Sequence, residues 1–322
     1  MDLHAKTADE GGAGHDFLGY LLTHRDRIKL KQMVDSLSAT VASDGRIHTT
    51  FSQVAAATGR LASSDPNLQN IPARSADGMR IRGAFVAGEG FESLMSADYS
   101  QIEMRLMAHV SGDEGLIAAF RSGRDFHAEM AAIVFGVAPE EVTGRMRARV
   151  KAMNYGLAYG LGAYGLSTRL GISVAEAKEL MEVYNSRVGG VQQYLAEVVA
   201  EARRMGYTST LLGRRRYLPD LNSSNRQRRE MAERAALNSP IQGSAADIIK
   251  LAMLEVERGL IAAGLRSRML LQVHDELVLE IFPGERETVE ELVRKEMGTA
   301  MDLAVPLEVS VGVGDSWFTA AH

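Results

Sequence analysis

The sequence predicts an α+β fold in which a block of helices interrupts an antiparallel sheet. Strand-like runs lie towards both ends of the 322-residue chain, at residues 91–97, 269–281 and 306–313. Between the first two runs, most apolar residues recur at helical spacing. Strands that flank a helical segment, rather than alternating with helices, indicate a sheet domain into which the helices are inserted.

The first part of the chain predicts a helix, a strand and a loop-rich segment. Residues 1–14 are polar and glycine-rich and are expected to form a flexible tail. From residue 15 to about 41, leucines alternate with Lys and Arg at helical spacing. Residues 45–51 are β-branched and alternating, which favours a strand. Glycines, prolines and asparagines between residues 58 and 83 predict loops.

The remaining elements are predicted from changes in the spacing of apolar residues along the chain. The strand at 91–97 delivers Asp98, and the period becomes helical from Ile102 to Ala108. Several helices are predicted between 113 and 205, one of them capped by Ser173. The later elements are a helix at 226–262, two strands within 269–281 joined by a tight turn at His274–Glu276, a helix at 285–301 and a strand at 306–313.

Composition indicates a soluble globular protein. The chain is 46% hydrophobic and 24% charged, which is ordinary for such proteins. It has no cysteine, so a disulfide framework and thiolate metal sites are excluded. No apolar run approaches the ~20 residues needed to cross a bilayer. The first residues lack the basic and apolar regions of a signal peptide, so a cytoplasmic protein is expected.

Positive charge is concentrated although the net charge is −5. Each cluster alone is typical of a solvated face. Four clusters close together, interleaved with tyrosines, favour a surface that follows phosphates. The clusters are Arg145/Arg147/Arg149/Lys151, Arg203/Arg204, Arg214/Arg215/Arg216 and Arg226/Arg228/Arg229, and the tyrosines are Tyr155, Tyr159, Tyr164 and Tyr217.

Two acidic segments, around Asp98 and Asp275, each lie in an apolar, strand-like frame. An aspartate in such a frame is costly to bury unless it is paired or binds a metal. Two of them brought together by the fold could hold two divalent cations on a phosphate, the common arrangement for in-line phosphoryl transfer. For either segment alone, an unrelated carboxylate at a strand end is the favoured explanation.

The helix between the acidic segments carries Arg147, Lys151, Tyr155 and Tyr159 at four-residue steps, which form one stripe. Two cations followed by two rings suit a nucleoside triphosphate, and a half-buried helix with core rings and solvated cations suits the pattern equally well. A second helix repeats the step with Arg234, Asn238 and Gln242, and Pro240 is expected to bend or interrupt it.

The segment Gly160–Gly165 fits the G-x-G-x-x-G pattern of dinucleotide-binding proteins. That pattern requires a preceding strand and an acidic residue about 20 positions later within a βαβ unit. A basic helix precedes these glycines, and no strand follows at the required distance. We therefore interpret them as a helix end and a turn.

Several long motifs, in order from about residue 15 to the C-terminus, resemble family A DNA polymerases, the bacterial DNA polymerase I group. Residues 98–105 (Asp-Tyr-Ser-Gln-Ile-Glu-Met-Arg) resemble the first catalytic motif, the stripe on the basic helix resembles the nucleotide-binding helix, and His274–Glu276 resembles the third motif. Residues 58–61, 65–72, 213–217 and 238–243 are also similar to the family.

The resemblance implies a right-hand polymerase fold. Its antiparallel palm would comprise residues 41–103 and 256–322, with fingers at 104–255 inserted between them. Residues 15–40 would be a remnant of the thumb, which would be mostly absent, and no segment would be left for proofreading or a 5′-nuclease. Without a thumb, weak DNA affinity and strong salt sensitivity are expected.

The resemblance also implies the chemistry. Asp98 and Asp275, with the backbone carbonyl of Tyr99, would bind two Mg²⁺ ions, for which Mn²⁺ can substitute. Lys151 would contact the triphosphate near the reacting phosphorus. Glu276 would support the metal site without being a principal ligand.

Further roles carried over by the resemblance concern the nucleotide and the DNA. Arg147 would bind the γ-phosphate and His127 the β-phosphate, whereas Gln101, Glu103, Tyr155 and Tyr159 would line the dNTP site. Arg60 and Gln242 would read the minor-groove edge of the new pair. The other DNA-binding residues would be Asn67, Gln69, Asn70, Arg234, Asn238 and His274.

Two residues refine the expected substrate. Glu103 would close the space beside the sugar C2′ and so exclude ribonucleotides, and Tyr155, where many members have Phe, implies ready incorporation of dideoxynucleotides.

The resemblance further implies that the protein binds primer-template DNA and dNTPs, and that it is a monomer in the bacterial cytoplasm or nucleoid. One alternative is a nucleic-acid-binding module without catalysis. Another is a metal-dependent nuclease, but a nuclease would give the Arg147–Tyr159 stripe no role.

Overall fold

The computed structural model describes residues 13–73, 75–158 and 160–321. In chain order, the first elements are α1 (Ala13–Ala39), β1 (Thr50–Ser52), β2 (Ala62–Ser64), α2 (Ala76–Arg82) and β3 (Ser93–Tyr99). The helical block comprises α3 (Ile102–Ser111), α4 (Glu114–Arg121), α5 (Phe126–Phe135), α6 (Gly144–Ala158), α7 (Ala163–Leu170), α8 (Val174–Arg187) and α9 (Gly189–Met205). The last elements are β4 (Tyr207–Ser209), β5 (Arg215–Tyr217), α10 (Arg226–Ala262), β6 (Arg268–Val273), β7 (Glu276–Ile281), α11 (Arg286–Gly298), β8 (Val309–Gly314) and α12 (Trp317–Ala320).

The main sheet has four antiparallel strands in the order β6-β7-β3-β8. The two central strands, β3 and β7, are separated in sequence by the whole helical block. Their register places Asp98 opposite Glu276 and Met95 opposite Leu279. The predicted α+β class, a sheet with helices inserted into it, is therefore confirmed.

Both faces of this sheet are covered. Met95, Ala97 and Leu277 belong to the larger apolar core, which packs against the inserted helices. Leu94 and Val278 point to the other face, into a smaller core around Trp317. Successive strand residues alternate between faces, and burial of both explains why these strands are almost continuously apolar.

Several local predictions are confirmed. The structure has helices at Ala13–Ala39 and Arg226–Ala262, and Ser173 caps the helix that follows it through a bond to the amide of Glu176. The two predicted strands within 269–281 form a hairpin. Gly160, with φ of +69°, lies in the turn after α6, as the interpretation of the glycine pattern requires.

Other local predictions are wrong. Residues 45–51 do not form one strand, because Gly45 with φ of +76° makes a turn and β1 begins only at Thr50. The loop-rich segment contains β2, a 3₁₀ turn at Leu68–Asn70 and α2. The sequence also gave no indication of the short β4–β5 hairpin.

Two further expectations concern the chain start and the long second helix. Helix α1 already begins at Ala13, and the rest of the predicted tail lies outside the described residues. Pro240 does not interrupt α10, which runs through it. Across the ranges that the structure describes, every helix is too short or too polar to span a membrane.

Candidate active site

The two acidic segments lie side by side at one end of the sheet. Asp98 is the penultimate residue of β3, and Asp275 lies in the turn between β6 and β7. The amide of Tyr99 donates a 3.2 Å hydrogen bond to the carbonyl oxygen of Asp275. His274, with φ of +56°, makes the tight turn that brings Asp275 to this position. The fold thus joins carboxylates that are 177 positions apart in the numbering.

Negative charge is concentrated between these segments. Burial, together with the neighbouring charges of Asp275 and Glu276, raises the pKa of Asp98 to about 7. Burial also raises the pKa of Asp275, although Arg60 and His274 oppose the shift. The Nη2 atom of Arg60 lies 3.7 Å from Oδ1 of Asp275. Carboxylates that are this costly to ionise together favour an additional cation between them.

The donor set fits Mg²⁺ or Mn²⁺ shared with a substrate. Within the described ranges, no cluster of three or more His, Cys, Asp or Glu side chains is arranged to hold a metal. Two carboxylates and nearby main-chain oxygens would leave coordination positions for other ligands. Mg²⁺ is typically bound by one or two carboxylates, with water and substrate phosphates completing its octahedron.

The carboxylate of Glu276, opposite Asp98 in the sheet, is bound by other side chains. Its Oε1 accepts hydrogen bonds from the hydroxyl of Ser96 at 2.6 Å and from the indole of Trp317 at 2.9 Å. Arg82 lies 3.6 Å from Oε2 and stacks over the Trp317 ring. Sequence reasoning missed these three partners. The one available signal was that Trp317 is the chain's single tryptophan.

Arg60 and Glu103 form an ion pair beside Asp275. Nη2 of Arg60 donates a 2.8 Å bond to Oε1 of Glu103, which lies in the first turn of α3. Burial raises the pKa of Glu103, with Arg60 opposing the shift and Asp275 adding to it. Gln101 precedes α3 with a positive φ of 57°, and its buried Oε1 has no hydrogen-bond partner among the described residues. The sequence predicted each residue but not the Arg60–Glu103 pair.

The basic helix α6 presents Arg147, Lys151 and Tyr155 at four-residue steps, and Lys151 is exposed. Arg147 forms a bidentate ion pair with Asp125, with N–O distances of 2.9 and 2.8 Å. Asp125 was not among the predicted site residues. Tyr155 is half-buried against the larger core, as the alternative interpretation of the stripe anticipated. The fourth predicted member, Tyr159, lies outside the described residues.

His127 is buried beside this helix, with its ring centroid 5.7 Å from that of Tyr155. Asn154 lies 3.2 Å from its Nδ1 and in turn accepts a hydrogen bond from Tyr184. Burial and the charge of Lys151 lower the pKa of His127 to about 4, so the ring is neutral at pH 7. If Nδ1 accepts from the Asn154 amide, Nε2 carries the proton, and within the described ranges that atom has no hydrogen-bond partner.

Apart from Arg60, the predicted DNA-binding residues lie in two places. Gln69 donates to the carbonyl of Gln272, whose own side chain donates to the carbonyl of His274. This contact joins the segment carrying Asn67 and Asn70 to the turn that carries the exposed His274. The other predicted residues, Arg234, Asn238 and Gln242, lie on α10.

Comparison with known proteins shows the family to which the chain is similar. The model of the family described as DNA polymerase family A matches residues 5–319. DNA polymerase I of Mycobacterium bovis is 66% identical over 309 residues, which are 96% of this chain and 34% of the relative. The thermostable DNA polymerase I of Thermus thermophilus is 49% identical over 308 residues, 95% of this chain and 37% of the relative.

A solved structure is also similar. The POL domain of Pol1 from M. smegmatis, in complex with DNA primer-template and dNTP, superposes with a TM-score of 0.94 at 62% identity. The match covers all of this chain and 56% of that chain. The chain spans about a third of the length of the curated relatives it matches. Since the family model matches almost the whole sequence, the chain belongs to DNA polymerase family A.

Proposed function

We propose that this chain is a DNA-directed DNA polymerase domain that adds dNTPs to a primer 3′-hydroxyl. The observation that carries the proposal is the pairing of Asp98 and Asp275 at one end of the sheet. The hydrogen bond between Tyr99 and Asp275 holds the two segments together, and burial and neighbouring charge raise the pKa of both carboxylates. Arg60 lies 3.7 Å from Asp275 without offsetting the shift, whereas a purely structural pair would be expected to have partners that neutralise it.

Asp98 and Asp275, with the carbonyl of Tyr99, would hold two Mg²⁺ ions, or Mn²⁺ in their place. When bound, such ions activate the attacking hydroxyl and stabilise the pyrophosphate that leaves. Glu276 would contribute negative charge nearby without ligating, since both of its oxygens face Ser96, Trp317 and Arg82.

The triphosphate would lie along α6. Lys151 is exposed and would contact the phosphate that reacts, whereas Arg147 would exchange Asp125 for the γ-phosphate. His127 would donate from Nε2 to the β-phosphate as a neutral imidazole. Because that atom is buried, the surrounding side chains would have to move for the phosphate to reach it. Gln101, Tyr155 and Tyr159 would complete the nucleotide site.

Glu103 would select deoxyribonucleotides. The 2.8 Å bond from Arg60 fixes its carboxylate beside the aspartates, where a ribose 2′-hydroxyl would clash with it or lose a hydrogen bond. Arg60 and Gln242 would read the minor groove, and acceptors there are similar in all correct pairs. The remaining DNA contacts would come from Asn67, Gln69, Asn70, Arg234, Asn238 and His274.

The division into subdomains follows the same proposal. Residues 41–103 and 256–322 would form the palm, because they contribute the four strands of the main sheet. Residues 104–255 would form the fingers, and residues 15–40 would belong to the thumb.

Primer extension tests the proposal. With Mg²⁺ and the four dNTPs supplied singly, we expect incorporation only opposite the complementary template base. Asp275→Ala should abolish it while leaving thermal stability similar or higher, since the substitution removes a carboxylate that is costly to bury. Binding of primer-template without incorporation, even at high protein concentration, would instead support the nucleic-acid-binding module.

A further inference from the structure

Arg214 lies in the loop of the β4–β5 hairpin, and its backbone is fixed against α10. The amide of Thr210 donates to the Arg214 carbonyl at 3.0 Å, and the Arg214 amide donates to the Thr210 hydroxyl at 3.2 Å. The amide of Leu211 donates to the hydroxyl of Ser244 on α10 at 2.9 Å. The loop therefore holds the Arg214 side chain at one place on that helix.

The guanidinium of Arg214 is bound by groups of α10. Its Nε and Nη2 lie 3.0 and 2.9 Å from Oδ1 of Asp247, and Nη2 also donates to the carbonyl of Gly243 at 2.9 Å. Asp247 is buried, and its other oxygen has no hydrogen-bond partner in the ranges that the structure describes. A buried carboxylate that depends so heavily on one cation fixes the position of that cation.

Two glycines pack directly on this guanidinium. A Cβ at Gly59, where φ is +81°, would lie 2.3–2.6 Å from three guanidinium atoms. A Cβ at Gly243 would lie 2.6 Å from Cγ2 of Thr210, 3.2 Å from Nη2 of Arg214 and 3.3 Å from the carbonyl oxygen of Thr58. The loop before Arg60 is therefore stacked on α10 through Arg214, without space for a larger residue.

The residues next to these glycines are the two proposed minor-groove readers. Arg60 follows Gly59, and Gln242 precedes Gly243. We propose that Arg214, held by Asp247, is a positioning residue that sets Arg60 and Gln242 relative to each other for inspection of the newly formed base pair. This inference rests on the proposed polymerase function and deepens it.

A double-mutant cycle tests whether Arg214 acts through Arg60. Lysine keeps the charge but cannot bind Asp247 and Gly243 together while presenting a flat surface to Gly59. We expect Arg214→Lys to lower kcat/KM for the correct dNTP by about tenfold when Arg60 is present, and by less than about twofold in an Arg60→Ala background. Equal losses in the two backgrounds would overturn the proposal.

The chain offers a matched control in Arg46. Its guanidinium binds the buried carboxylate of Glu280 at 3.2 Å, which Arg268 also binds, and a Cβ at Gly88 would lie 2.1 Å from Nη1 of Arg46. Glu280 is near the opposite end of β7 from Glu276. Arg46→Lys should reduce thermal stability as Arg214→Lys does, but its effect on kcat/KM should be the same with and without Arg60. Coupling of Arg46 to Arg60 as strong as that of Arg214 would contradict the proposal.

Hydrogen exchange separates this proposal from the polymerase assignment, because it needs no activity. Amides of residues 56–61 should exchange at least several-fold faster in Arg214→Lys than in the unmodified chain or in Arg46→Lys. Unchanged exchange would refute positioning, even if the chain polymerises DNA. If Arg214→Lys does not fold, Asp247→Asn replaces it in both measurements and should act in the same direction. If the unmodified chain incorporates no nucleotide, the proposed function fails and exchange alone decides the positioning.

Discussion

The amide of Tyr99 donates a 3.2 Å hydrogen bond to the carbonyl of Asp275, and this bond ties the end of β3 to the β6–β7 turn. Asp98 and Asp275 are therefore held close together by backbone geometry. Like charges held this close resist joint ionisation, and the raised pKa of Asp98 reflects burial first and that repulsion second. Any cation that binds both carboxylates relieves the repulsion, so ion binding and folding stability should be linked.

The first prediction concerns pH in the absence of metal. The pKa of Asp98 is about 7 in the folded protein, against an ordinary value of 3.8. Protonation of Asp98 thus stabilises the fold fully below about pH 4, and this contribution is lost as the pH rises through about 7. In EDTA, the unfolding free energy should fall between pH 5 and 8 by on the order of 2–4 kcal/mol more in the unmodified chain than in Asp98→Asn.

Thermal unfolding with and without Mg²⁺ checks this prediction. Mg²⁺ binds the deprotonated carboxylates, so the increase in Tm that it causes should grow from pH 6 to pH 8. The fluorescence of Trp317, whose indole donates to Glu276 beside Asp275, offers a second readout of binding. If, without metal, the difference in Tm between the unmodified chain and Asp98→Asn did not change with pH, the linkage would be contradicted.

The second prediction concerns the Asp125–Arg147 pair. Since both side chains are partly exposed, the pair stabilises the fold by no more than about 1 kcal/mol. Asp125→Asn removes the competing charge and can still accept the capping bond from Ala128. Steady-state kinetics should show a KM for dNTP lower by about two- to fivefold, with little change in kcat. A higher KM would mean that Asp125 orients Arg147 for the phosphate instead of competing with it.

The third prediction concerns selection of the sugar. Glu103→Ala should open the space beside C2′ and raise ribonucleotide incorporation relative to dNTP by about 10- to 200-fold, the range that one steric contact supplies. Glu103→Gln preserves the volume and can still bond Arg60, so it should stay within about threefold of the original ratio. Competition assays with matched rNTP and dNTP measure the ratio. An unchanged ratio in Glu103→Ala would exclude this role for Glu103.

The fourth prediction concerns dideoxynucleotides. We expect the unmodified chain to incorporate them readily, because the hydroxyl of Tyr155 can replace the missing 3′-hydroxyl. Tyr155→Phe should increase discrimination against them by about tenfold or more, in line with the ~1.5 kcal/mol of one hydrogen bond. Strong discrimination by the unmodified chain in primer extension would refute the assignment of Tyr155.

The sequence predicted elements that have a helical period or a nearly continuous apolar run. The helix ending at Ala262 is an example of the first, and the hairpin around Asp275 and the strand leading to Asp98 are examples of the second. Short elements such as the β4–β5 hairpin, with three residues in each strand, are too brief for a period to develop. Pro240 was expected to bend or interrupt its helix, but the helix runs through it, because the buried helix surface around it outweighs the lost hydrogen bond.

The pairings within the site were beyond sequence reasoning for a different reason. The bonds of Trp317 to Glu276, of Arg147 to Asp125 and of Arg214 to Asp247 join residues 41, 22 and 33 positions apart. Each depends on how separate elements pack, and no local period or spacing encodes that packing. The sequence therefore predicts which residues would carry the chemistry, whereas the structure adds the side chains that contact them.

The most direct test of the central claim is the single-turnover rate of nucleotide incorporation at saturating Mg²⁺ for Asp98→Asn, Asp275→Asn and the double variant. The exposed Asp302→Asn serves as the control and should keep the original rate. If the two aspartates form one metal-binding centre, each single variant should lose about 10³-fold or more, and the double variant should be little slower than either. Independent, multiplying losses, or a single variant that retains a tenth of the rate, would contradict the account.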